Sequence, residues 1–141
     1  MTQPLHYRSL AEVAGDIRSG ALTAEAVTRH TLDRIARLEP SLHAFAFVRA
    51  DEALAEAQAA DQRQARGERL GALHGVPLAV KDLCAMAGTP TRAGGFFSTG
   101  FGARDTATVV KRLQDAGAII VGKTQLTEGA WGTHHPDVAV P

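Results

Sequence analysis

Three things are scarce in this chain, and each scarcity removes a class of protein. Cysteine occurs once, at Cys84, in 141 residues. A lone thiol cannot close an internal disulfide, which excludes the disulfide-stapled scaffolds of oxidising compartments. Cys84 itself reads as a buried inert thiol, with a reactive thiol as the alternative. An excess of charge of either sign is missing, because 15 Lys and Arg stand against 15 Asp and Glu. That balance gives no electrostatic footing for nucleic acid or for an anionic membrane. Long apolar runs are missing too. None approaches the ~20 residues needed to span a bilayer. The stretch Met1-Thr-Gln-Pro-Leu-His-Tyr-Arg8 has no apolar segment behind its charges, so a secretory signal is not expected. The expected setting is the cytoplasm, with no membrane and no nucleic-acid partner.

What is present is an ordinary globular composition, 45% hydrophobic and 21% charged, in a length that suits one domain. The first part reads as helices. Ser9 followed by Glu12 fits a capping box, with Leu10, Val13, Ala14 and Ile17 on one face and Gly20 able to close the helix in the left-handed conformation. Thr23 is the next candidate N-cap, with Leu22 able to staple onto Val27. The stripe Val27, Thr31, Ile35, Leu38 follows, and Pro40 is expected to stop it. Leu42 to Val48 alternates around Phe45 and Phe47 and suggests a short strand. The alanine-rich run Asp51 to Arg66 is a strong helix former, with Gly67 as a terminator.

At Gly71 the composition changes. Val76-Pro-Leu-Ala-Val80 reads as a buried strand, with Pro77 near its start, where the missing donor is tolerated. Gly88 to Gly102 is a glycine-rich loop. Asp105 is the candidate cap of a helix holding Val109, Val110 and Leu113, with Gly117 behind it. Ala118-Ile-Ile-Val121 is a second buried strand, and a short helix can follow from Gln125 to Ala130. Strand, loop, helix, strand implies a parallel pair joined by a right-handed crossover. The fold class is therefore α/β. N-terminal helices (about 1–70) precede the start of a parallel or mixed sheet with helices packed on it (about 71–141). Two strands leave an edge that wants a partner. Association through that edge, with a second chain or with another copy, is expected.

Three constellations carry possible chemistry. Gly117 to Thr124 matches the spacing of a Walker A phosphate loop, but its middle residues, Ala118 to Val121, are the best strand in the chain. Their donors belong in a ladder, not around a phosphate. His134, His135 and Asp137 cluster near the C-terminus. Adjacent histidines diverge in extended chain and no third ligand sits at recognised spacing, so no metal is expected. Lys81 closes the apolar strand Val76–Val80. A strand end emerging at the surface is one reading. The other is a lysine serving as a proton acceptor, as lysines in desolvated surroundings can. Asp82 should point to the opposite face and is not paired with it by default.

The run Gly75-Val-Pro-Leu-Ala-Val-Lys-Asp82 resembles the lysine motif of the amidase signature family. Asp105 to Thr124 resembles that family's next block in order and spacing. Gln125-Leu-Thr-Glu-Gly-Ala-Trp-Gly132 continues it, and Gly20 to Val27 and Pro40 to Phe47 fit as well. The resemblance covers nearly the whole chain. It implies an incomplete amidase-signature fold and hydrolysis of carbon–nitrogen bonds in amides, or use of glutamine amide as an ammonia source in the A subunit of a glutamyl-tRNA amidotransferase. It also implies a nucleophilic serine, a second serine before a cis peptide bond, and a lysine. On this resemblance Lys81 is the catalytic lysine. Gly129, Ala130, Trp131, Gly132 and Thr133 correspond to a segment near the substrate's acyl group, with Trp131 as core the alternative. The partner implied is a small-molecule amide, and no cofactor is implied. Gln125 departs from the family's usual asparagine. The glycine- and serine-rich block expected after Pro141 is not in this sequence, and Ser98 and Thr99 precede the helix block and cannot replace it. The expectation is a truncated, split or fragmentary chain, inactive alone, or a non-catalytic subunit that completes a partner. For the Walker-like stretch, Mg-ATP is expected to leave the melting temperature of the purified chain unmoved. A saturable rise would reinstate nucleotide binding.

Overall fold

The computed structural model describes residues 3–95 and 104–131. Helix α1, Leu10–Ser19, starts on the capping box read from the sequence: the Ser9 hydroxyl accepts from Glu12 N, and the Glu12 side chain accepts from Ser9 N. Gly20 ends it in the left-handed conformation. Helix α2, Ala24–Leu42, takes Thr23 as its cap. Its remaining N-terminal donors find a partner that only the fold brings: Asp61 accepts from Ala24 N at 2.7 Å and from Glu25 N at 3.0 Å. A carboxylate there answers both the orphan donors and the positive end of the helix dipole.

Pro40 does not stop α2. It lies in the last turn, where its missing donor removes one bond, and the helix runs on to Leu42. Termination falls to His43, in the left-handed region at φ 47, whose N–H donates to Glu39 O. Strand β1 is accordingly shorter than the alternation suggested, Phe45–Val48. Helix α3 covers Ala50–Ala65, close to the run marked by composition. Strand β2 is Pro77–Lys81, helix α4 is Thr108–Asp115 and strand β3 is Ile119–Thr124. Asp105 is not the cap of α4. That position is Ala107, with no side-chain bond to the helix. Instead Ala107 N donates to Ala85 O and the Thr106 hydroxyl accepts from Ala87 N, so the helix start is stitched to the segment after β2. Gln125 to Ala130 contains only a single 3₁₀ turn, Glu128–Ala130.

The three strands form one mixed sheet in the order β1-β3-β2. β2 and β3 run parallel, as the strand–helix–strand pattern implied. β1 joins the other side of β3 antiparallel. The central strand is buried along Ile119–Lys123, while β2 is buried only at Val80. The expected buried strand Val76–Val80 is buried at Val76 and Val80 only; among the described residues β2 is an edge strand, and its Pro77 and Leu78 border a groove. One face of the sheet packs Ile119 and Val121 against Ala24 and Leu32 of α2 and Ala53, Ala57 and Ala60 of α3. The other packs Val80 and Ile120 against Met86 and Val110. Half-buried Cys84 joins that second cluster as an apolar filler.

Helix α2 carries two apolar stripes. Ala24, Thr28 and Leu32 face inward and are buried. The stripe visible in the sequence, Val27, Thr31, Ile35 and Leu38, lines a groove of about 390 Å³ between α1, α2 and the start of β2. A helix apolar on two sides is one made to be covered on two sides.

Gly122 permits the sheet to close. A β-carbon there would stand 2.4 Å from the Phe47 carbonyl oxygen, where the β1–β3 register is irregular. Gly122→Ala should therefore lower stability by about 1–3 kcal/mol by forcing β1 outward. Gly15→Ala, in the middle of α1 with nothing within 4 Å of the added carbon, should raise it by roughly 0.4–1 kcal/mol. Urea midpoints of the two variants measure both effects, and a shared sign would contradict the packing.

Candidate active site

Parallel strands β2 and β3 end together, at Lys81 and Thr124, which are partners in the register. Ligands of α/β sheets bind beyond such carboxyl ends. Lys81 is exposed and Asp82 is buried, so the two side chains diverge as the pleat requires. Residues 96–102 of the glycine-rich loop considered beside Lys81 from the sequence lie outside the described residues.

The buried charge at this end is elsewhere. Lys123, one residue before the end of β3, has no solvent exposure. Its ammonium lies 2.7 Å from Asp82 Oδ1. It also donates to Pro90 O at 2.8 Å and to the Thr91 hydroxyl at 2.7 Å. An ammonium has three donors, and all three have partners. Asp82 is as fully engaged. Its other carboxylate oxygen accepts from Arg92 N at 3.1 Å, its N–H donates to Thr124 O at 3.0 Å, and its carbonyl accepts from Ala93 N at 3.3 Å. The pair therefore joins three segments: the end of β2, the end of β3 and residues 90–93.

From there one more bond reaches the 129–131 segment. Ala93 O accepts from Gly129 N at 2.7 Å. Close packing supports that bond, since a β-carbon on Gly94 would stand 2.6 Å from Leu126 O. Lys81 and Gly129 are thus brought to one end of the sheet, through Asp82 and Ala93. Gly129 and Ala130 are both left-handed, at φ 59 and 62, and Ala93 is so at φ 51. An alanine in that region costs roughly 1–2 kcal/mol. Two of them in touching segments mark a conformation imposed by its surroundings. Trp131 is 86% exposed, so it is not core among the described residues. Gly132 and Thr133 lie outside the described residues, as do His134, His135 and Asp137. Among the described residues, no group of three or more His, Cys, Asp or Glu is placed to hold a metal, and no helix is long and apolar enough to cross a membrane.

The Walker-like spacing at Gly117–Thr124 does not build a phosphate loop. Its middle is strand β3, bonded on both sides, and its lysine is the buried Lys123. The Lys123–Asp82 pair is not among the sites expected from the sequence, where Lys123 closes an aliphatic run just as Lys81 does. A lysine buried at the end of an apolar strand needs a carboxylate, and Asp82 is the acid at the matching end of the neighbouring strand, but burial itself follows from the central place of β3. The large apolar groove lies at the opposite end of β2, at Val76 to Leu78, away from Lys81.

Residues 26–139 match the family model described as Amidase. The chain is 50% identical over 132 residues to the protein named AmiD in Mycobacterium tuberculosis, covering 94% of this chain and 28% of that protein. It is 48% identical over 126 residues to the A subunit of glutamyl-tRNA(Gln) amidotransferase from Acidothermus cellulolyticus, covering 89% of this chain and 25% of that one. Its fold superposes on native peptide amidase from Stenotrophomonas maltophilia with a TM-score of 0.80 and 38% identity, over 89% of this chain and 26% of that structure. The chain thus spans about a quarter of the length of the relatives it matches.

Removing one member of the buried pair should be worse than removing both. Lys123→Met leaves the Asp82 carboxylate buried without its cation and is expected to cost about 3–5 kcal/mol. Lys123→Met combined with Asp82→Asn should recover part of that loss. Urea denaturation of the single and double variants checks this, and strictly additive losses would argue against a coupled pair.

Proposed function

The chain belongs to the amidase family, and from that premise we propose that it is the lysine-bearing portion of an amide hydrolase in which Lys81 is the catalytic proton acceptor. The carrying observation is the position of Lys81 at the shared carboxyl end of β2 and β3, on the same end of the sheet as Gly129–Trp131. In the proposed reaction a serine hydroxyl attacks the amide carbonyl. Its proton passes through a bridging serine, next to a cis peptide bond, to Lys81 Nζ. The same proton then returns to the departing nitrogen, and water releases the acyl group by the reverse relay. The two serines and the oxyanion donors come from residues outside this sequence, in keeping with a chain about a quarter the length of its relatives. Those residues also supply the cover that desolvates Lys81, since a lysine base requires a water-poor site. Gly129, Ala130, Trp131, Gly132 and Thr133 form one wall of the acyl site in this reading. The open outer edge of β2 receives further strands of the same protein or of a partner. A single cysteine suits a reducing compartment, and the cytoplasm is the proposed setting.

The 48% identity with the A subunit of an amidotransferase supports a second reading, in which glutamine is the amide and ammonia the product delivered. The name of the structural neighbour favours testing a peptide amide beside it. Ammonia release from glutamine, from a C-terminal peptide amide and from a simple aliphatic amide separates these substrates. In the natural protein that carries this chain, Lys81→Ala should lower kcat/KM about 10²–10⁴-fold on the preferred amide, the usual contribution of a positioned acid–base group. The stretch 1–141 alone should release none. Retention of near-native turnover by Lys81→Ala would refute the assignment of the base.

A further inference from the structure

We propose that the buried Lys123–Asp82 pair is a positioning device for the reaction assigned above, holding Lys81 and the Gly129–Trp131 segment in one fixed relation. The inference rests on that functional reading and extends it to two residues that touch no reacting atom. Its basis is the bond pattern. One ammonium meets three acceptors, on Asp82 and on the adjacent Pro90 and Thr91, at 2.7, 2.8 and 2.7 Å. The carboxylate it faces holds Arg92 N as well. Asp82 is chain-adjacent to Lys81, so the direction in which the strand end presents Lys81 follows from where Asp82 is pinned. Residues 90–93 are held by the same pair, and Ala93 passes the constraint to Gly129 by the 2.7 Å backbone bond.

Stability alone is a weak reason for such an arrangement. A buried ion pair contributes little over apolar side chains of the same size, because desolvation offsets most of the attraction. Apolar residues at 82 and 123 would fill the same buried volume without the bonds to Pro90, Thr91 and Arg92. What apolar side chains would not supply is direction. Three donors aimed at three acceptors admit a single arrangement of the segments they join, in a dry site where each unmet group is costly. The strained left-handed Ala93 and Ala130 lie on the segments so held. Release of the pair removes what imposes that conformation. A displacement of about 1 Å at a catalytic group can cost on the order of 10²-fold in rate.

The test uses the natural protein that carries this chain, assayed well below the melting temperature of each variant. Lys123→Met and Asp82→Asn are the direct substitutions, and Thr91→Val, which removes one of the three acceptors, serves where those fail to fold. Two readouts are taken: kcat and KM on the preferred amide, and amide hydrogen exchange at Arg92, Ala93 and Gly129 with α2 and α3 as internal reference. The expected result is faster exchange at those three amides, unchanged exchange in the helices, and a fall in kcat of about 10–10²-fold with a smaller change in KM. Thr91→Val should show the same pattern reduced to several-fold. A folded variant with native exchange at Gly129 and native kcat would overturn the proposal and leave the pair a purely structural element. Failure of the functional reading looks different. There Lys81→Ala stays active while the exchange pattern still reports whether the pair holds the segments. An inactive Lys81→Ala beside a fully active Lys123→Met defeats the positioning role alone.

Discussion

Lys123 has no contact with solvent, so its charge must be met entirely by the protein. An isolated ammonium in such a place would cost many kcal/mol. The chain meets it by bringing the end of β2 and residues 90–93 to the end of β3. That requirement shapes everything at this end of the sheet. It draws Asp82 under the strand ends while Lys81 turns outward, and it holds the segment that bonds Gly129. It also keeps β3 central, since only a strand bonded on both sides and covered on both faces can bury its penultimate residue so completely. Gly122, immediately before, lets β1 come close enough to complete that cover.

The rest of the fold is built to support this strand. The alanines of α3 allow it to lie close on Ile119 and Val121, with α2 beside it. Arg49, buried at the start of α3, donates to Ile120 O at 2.7 Å and pairs with Glu56. The helix layer is thereby tied to the backbone of β3 as well as to its side chains. On the second face the cover is thinner, with Val110 and Met86 the main contacts to Val80 and Ile120. Among the described residues, the groove along α2 is left as apolar surface and β2 has a free edge. Both fit a chain that spans about a quarter of its relatives' length. The proposed catalytic lysine lies at the carboxyl end of that same edge strand, where added strands and loops would form the rest of a pocket.

Several elements are legible from short stretches of the chain. Capping chemistry marks the starts of α1 and α2, because a cap is a local bond between residues three apart. Alanine content marks α3, and the aliphatic runs mark β2 and β3 and their parallel pairing. For the candidate site, family resemblance names Lys81 and residues 129–133, which stand as the proposal made above. Where sequence and structure differ, the causes are physical. Pro40 does not enforce a stop in a last turn, where a single donor is at stake. Asp105 has the right chemistry for a cap, but the chain before α4 is held by Thr106 and Ala107 against the segment after β2. Trp131 could be core or surface by composition, and only its neighbours determine which.

The sequence by itself determined local matters: where α1 and α2 begin, which runs are strands, and the family to which the lysine motif points. These depend on bonds and patterns within a few residues, or on motif order along the chain. The tertiary structure alone decided which lysine is buried. Lys81 and Lys123 each close an aliphatic run, and nothing local distinguishes them. Their fates differ because β3 is central and β2 is an edge, and because Asp82 is the acid within reach when the two strands end side by side. Burial and pairing depend on what arrives from far along the chain, so the exposed Lys81 and the buried Lys123 separated only when the sheet was assembled.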